Sequence, residues 1–234
     1  MSEPTNLFWY SSVAVQLLFC AHLLWSRLAK RHPIFTAYLG YSVLRSLIAM
    51  QFSVAANGAL PRAYTYFWLW SEPILLLLQI AVTLEVHGAM WKEHVAVARP
   101  ARPLLYFALI TAFVFAAVPM KAELSHFSPI RLQAIMQFEF LAKRYVSTVL
   151  AVFLVLSAVM YLVIIRNSLK SSLFRHEGLL AVYFGIYAVA AFAINMGWGT
   201  IPLVNHYTLS AVTICLVIWI SVLTPNQEQS LATK

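Results

Sequence analysis

Two ionisable side chains lie deep inside long apolar runs, far from any polar flank. Arg45 stands eleven residues beyond Ile34, where its run opens, and Glu72 stands eight residues beyond Tyr64. At about 1.5 Å per helical residue these offsets are about 16 Å and about 12 Å, measured from opposite ends of two runs joined by a short turn. In an apolar slab of about 30 Å the two depths nearly coincide. Either charge alone at that depth costs several kcal/mol, so the pair is the natural solution, and a pair in such a place also suits a polar ligand or ion.

The run from Tyr64 to Met90 carries more than Glu72. At about 100° per residue, Thr65, Trp68, Glu72, Gln79 and Thr83 fall within roughly 60° of one another on a helix, with His87 at the edge and Glu85 nearly opposite. This gives one wet face and one greasy face. Pro73 follows Glu72 and leaves the carbonyl of Leu69 without its usual donor, which predicts a local kink. On the preceding run Tyr38, Tyr41 and Ser42 share the Arg45 face and bring hydroxyls to it. The candidate ligand-binding set is therefore Tyr38, Tyr41, Arg45, Glu72, Gln79 and Thr83, with Asn195 on a later run. Asn195 shares its face with Ala188, Ala191 and Gly199, which also reads as a close-packing seam.

Other chemistry is not nominated. His22 and His87, the histidines inside apolar runs, differ in depth by about 12 Å, too far for axial ligands of one haem. Glu123, His126, Glu139 and His206 share no metal-ligand spacing. Glu139 and Lys143, four apart, read as a helix-surface ion pair. No metalloprotease, esterase, phosphate-loop or dinucleotide motif is found, and nothing pairs a nucleophile with a base. No cofactor, metal or catalytic residue is expected.

The elements that must position these residues follow from composition. Of 234 residues 62% are hydrophobic and 10% charged, against about 45–50% and about 25% in soluble domains. The expectation is an all-α, polytopic integral membrane protein, one domain over residues 1–234, with seven spans at about 7–28, 34–55, 64–88, 103–120, 140–165, 178–200 and 203–223. The first run is longer than a signal-peptide core and is read as retained. The helix carrying span five is expected to begin near Gln133. The net charge of +8 resides in short loops, which excludes a nucleic-acid face and favours anionic lipid headgroups. Lys and Arg crowd the loops after spans one, three and five, so the N-terminus is expected outside and the C-terminus in the cytoplasm, in a bacterial inner membrane. Cys20 and Cys215 read as core residues.

An internal echo links two segments. Arg31-His32 and Arg175-His176 each precede a span, and Tyr38-Leu39-Gly40 and Tyr183-Phe184-Gly185 follow at nearly equal distance. With an odd number of helices between them, this suggests a parallel three-plus-one-plus-three plan. In that layout alone the chain resembles the SWEET and PQ-loop sugar permeases, whose Pro-Gln signature it lacks, so no residue is carried over. The functional expectation is a small transporter or permease taking an unknown small polar ligand between spans two, three and six. The alternatives are a ligand-sensing, receptor-like bundle acting through a partner, and an accessory or structural subunit, for which a partner membrane chain or a homo-oligomer is expected.

Overall fold

A computed structural model describes residues 3–26, 28–55, 62–92, 94, 96, 99–124, 131–164, 172–198 and 201–222. The turn expected at 57–61, the connection around His126, the basic loop at 165–171 and the tail beyond 222 lie outside the described residues. Among those described the chain is all-helical. Its helices are α1 (Glu3–Trp25), α2 (Pro33–Ala55), α3 (Arg62–Met90), α4 (Ala101–Leu124), α5 (Arg131–Ile164), α6 (Ser172–Asn195) and α7 (Ile201–Val222), with one short 3-10 turn, Leu28–Lys30.

Local chemistry sets several helix ends. Pro33 opens α2, where its fixed φ suits the first helical residue and its missing N–H is no loss. At the end of α6, Trp198 N donates to the carbonyl of Ala193 and Gly197 N to that of Ile194. Gly197 takes a φ of 66°. This is the six-to-one and five-to-two pattern of a glycine helix stop, open to glycine because it has no Cβ. α3 runs unbroken through Pro73, which lies on an exposed face.

Five segments are long and apolar enough to cross a membrane: Ala63–Met90, Ala101–Val118, Phe138–Ile164, Phe174–Ile194 and Leu203–Val222. This is the make-up of a multi-pass membrane protein. A shorter apolar helix, Trp9–Trp25, lies in α1. α2 is not among the five: Arg45, Gln51 and its tyrosine and serine hydroxyls dilute its apolar character. The 34 residues of α5 amount to about 51 Å, well beyond a hydrocarbon core of about 30 Å.

The helices pack as a ring, α1–α2–α3–α5–α6–α7 and back to α1, with α4 laid against α5 outside it. Side-chain contacts give the directions. Glu85 on α3 meets the start of α2 while Glu72 meets Arg45 near its middle, so α2 and α3 are antiparallel. Glu72 meets Lys143 and His87 meets Ser157, so α3 and α5 run parallel. The core gathers Phe19 and Leu23 of α1, Phe35 and Leu39 of α2, Leu150 and Leu154 of α5, Leu180 and Phe184 of α6, and Leu216 and Trp219 of α7. Apolar residues elsewhere point outward in bulk, among them Phe107, Ile110 and Phe115 of α4 and Val152, Leu156 and Val163 of α5.

Candidate functional site

Glu72 is the centre of the polar interior. Its side chain is fully buried and is held by two cations from different helices, Arg45 Nη2 of α2 and Lys143 Nζ of α5, the latter at 2.6 Å. Arg45 Nε also donates to Ser71 Oγ at 2.8 Å, and Tyr41 Oη donates to the carbonyl of Ser71 at 3.0 Å. Both cations lie against aromatic faces, Arg45 over Trp68 at 5.6 Å and Lys143 over Tyr187 at 5.4 Å. The adjacent Arg144 covers Phe192 at 5.0 Å. A buried carboxylate paired with two cations, one of them hydrogen-bonded to it, satisfies the condition under which a buried charge is tolerable. The cations keep 15% and 18% of their side-chain surface, so the cluster is sealed on the Glu72 side and reachable on theirs.

Lys143 corrects the sequence expectation of a surface pair with Glu139: it reaches inward to Glu72. The helix pattern carries the signal in retrospect. Ala142, Val146, Leu150 and Leu154 form the buried stripe of α5, and Glu139, Lys143 and Ser147 run beside it at the same spacing of four, with Glu139 and Ser147 buried.

Next to the charges lies a hydroxyl chain. Tyr38 Oη and Tyr183 Oη are 2.8 Å apart, Tyr183 Oη donates to Tyr187 Oη at 3.4 Å, and Gln79 Nε2 donates to Tyr38 Oη at 3.5 Å. Thr83 is fully buried, but its hydroxyl donates to the carbonyl of Gln79 in its own helix. Ser42 and Gln16 of α1 add a bond of 3.0 Å. The structure thus brings Tyr38, Tyr41, Arg45, Glu72 and Gln79 into one connected region and sets Thr83 one turn beyond Gln79. Asn195 ends α6, and its side chain lies outside the described residues. The sequence reading missed Ser71, Lys143, Tyr183 and Tyr187.

A second polar layer lies where α2 and α6 begin. The rings of His32 and His176 are 4.8 Å apart between centroids. Trp219 Nε1 donates to His176 Nδ1 at 2.8 Å. An indole N–H only donates, so Nδ1 of His176 is the bare nitrogen and the ring proton resides on Nε2. Glu85, which the helical wheel turns away from the stripe, accepts from the N–H groups of Ile34 and Phe35 at 3.0 and 2.8 Å. It is a carboxylate cap lent by α3 to the N-terminus of α2. The two echo motifs of the sequence therefore touch: His32 faces His176, and Tyr38 bonds Tyr183.

Compared with known proteins, the chain matches no protein-family model, no curated protein and no solved structure.

Proposed function

We propose that this chain is a seven-span membrane carrier for a small polar solute, with its N-terminus outside, its C-terminus in the cytoplasm of a bacterial inner membrane, and its site around Arg45, Glu72 and Lys143. The observation that carries the reading is Glu72, a fully buried anion shared by cations from α2 and α5. Ionisable groups inside a membrane bundle mark solute and ion pathways. Here the cluster joins two parts of the ring that would have to separate and rejoin. The tyrosines and Gln79 beneath it supply neutral donors and acceptors for a polar ligand.

The reading includes a duplicated three-helix unit. It is supported by the ring, in which exchanging α1, α2, α3 for α5, α6, α7 maps neighbours onto neighbours, and by the contacts of the echoed residues, His32 with His176 and Tyr38 with Tyr183. Carriers built from parallel repeats bind at the repeat interface and alternate access by rocking one repeat against the other. The contacts of His32 with His176 and Tyr38 with Tyr183 would then form the closed side, toward the cytoplasm, and the partly exposed Arg45 and Lys143 the open side.

Single cysteines decide it in whole cells and in inverted vesicles. Tyr41→Cys should react with an impermeant thiol reagent from outside, and Thr83→Cys from inside, each in a fraction that shifts with the other side's reagent. Cysteines at 92–99 and 168–175 should be shielded in intact cells, and one at 125 should label. Access from one side only would favour the receptor-like bundle. No access at either site, with cross-links from α3 to a second chain, would favour the accessory subunit.

A further inference from the structure

Away from the charge cluster, a cavity of about 350 Å³ lies between α3, α4 and α5. That is toward the small end of the ~300–1,000 Å³ typical of small-molecule sites. Its walls are apolar, with Leu104 of α4 and Val152 and Leu156 of α5 all exposed at its lip, so it opens sideways along the helices. It follows α5 from Thr148 to Met160, twelve residues or about 18 Å. This is close to half the thickness of a hydrocarbon core of about 30 Å, the reach of one acyl chain.

Behind the apolar wall at one end lies a buried polar group. His87, Trp91 and Ser157 are among the lining residues there. Trp91 Nε1 donates to Ser157 Oγ at 2.9 Å, and the same hydroxyl bonds His87 Nδ1 at 2.9 Å. The ring is thereby fixed. His87 is 2% exposed, yet its Nε2 is buried with no hydrogen-bond partner among the described residues. A buried ring nitrogen left in that state is costly, and a ligand head group would satisfy it. The residue after His87 is Gly88, where a Cβ would stand 3.4 Å from Arg102 Nη2. The guanidinium therefore lies against α3, one residue from His87. No carboxylate pairs with Arg102 among the described residues. Ala101, in the first turn of α4, also lines the cavity and brings the positive end of that helix to it.

We propose that this cavity is a binding site for an acyl chain bearing an acidic head group, the chain lying along α5 and the head held by Arg102 and His87. An anionic membrane phospholipid and a free fatty acid share that chemistry. A zwitterionic lipid such as phosphatidylcholine answers the Arg102 charge less well, because its own ammonium offsets its phosphate. The inference stands apart from the carrier reading, since none of its residues belongs to the Glu72 cluster.

Trp91 gives the test its own reporter. The full chain is reconstituted in phosphatidylcholine nanodiscs, and tryptophan fluorescence is read on adding dibromostearate, dibrominated phosphatidylglycerol or dibrominated phosphatidylcholine. The difference between wild type and Trp91→Phe isolates the Trp91 signal. Preferential quenching by dibromostearate supports the proposal with a fatty acid as ligand. Preferential quenching by dibrominated phosphatidylglycerol supports it with a membrane lipid. Arg102→Gln should reduce the preference about fivefold, as expected for one surface cation, and Arg102→Lys should keep most of it. Equal quenching by dibrominated phosphatidylcholine, absence of quenching of Trp91, or an Arg102→Gln variant with unchanged preference would each overturn it.

Discussion

Glu72→Gln takes the anion away from two cations at once. Arg45 and Lys143 would then face each other across a neutral amide, with 15% and 18% of their side-chain surface exposed. Removing one partner of a buried pair costs about 3–5 kcal/mol. The residual exposure of the cations argues for the lower end, about 3 kcal/mol, which is roughly a hundredfold in the folding equilibrium. Arg45→Met and Lys143→Met are milder, because each leaves Glu72 with its other cation. Each should cost about 1.5–3 kcal/mol, the range for a hydrogen bond to a charged group. The third partner changes what a double variant does. Arg45→Met with Glu72→Gln still strands Lys143, so relief should be partial. The triple variant with Lys143→Met leaves no charge and should cost clearly less than the sum of the three singles. The assay is reversible unfolding in mixed detergent micelles, followed by tryptophan fluorescence. Strict additivity across the set, or Lys143→Met as damaging as Glu72→Gln, would refute a cluster centred on Glu72.

Two further predictions concern helix ends. Glu85→Ala should lower stability in the same assay by about 1 kcal/mol, the usual worth of a helix cap, and should increase hydrogen exchange at Ile34 and Phe35; unchanged exchange there would mean α2 does not use the cap. Gly197→Ala should cost about 1–2 kcal/mol because its φ of 66° crowds a Cβ, and no measurable loss would show that α6 can end another way.

What the sequence made legible was set by depth and by period. Arg45 and Glu72 could be paired because each lies in a run of known direction joined by a short turn, and depth along a helix is simple arithmetic. Lys143 could not be found that way. It lies near the start of a helix longer than a membrane is thick, so its depth was open, and Glu139 four residues earlier offered a nearer partner. The tyrosine link escaped for another reason. Tyr38 and Tyr183 are 145 residues apart, and helical periodicity gives the face of a residue but not which distant helix packs against it. The echo of Arg-His and Tyr-x-Gly pointed at that pairing, but similarity of two segments does not by itself place them in contact. Glu85 shows the limit of a helical wheel. A residue off the polar stripe is expected to face lipid, whereas its neighbour's free N-terminal amides were waiting on that side.

α4 lies outside the ring, against α5. On the proposed repeat plan, three consecutive spans would finish on the side opposite to where they began, so a second triplet of the same polarity would need one extra crossing before it could start. α4, which has no counterpart in the ring, would be that crossing. Its outward residues Leu104, Phe107, Ile110, Val114 and Phe115 are exposed, constrained by the solvent they dissolve in more than by any neighbour's shape. Such a helix is the natural place to cut the chain. Co-expressed fragments divided between α3 and α4 would each hold one complete triplet, and the contacts that rejoin them are the buried ones described above.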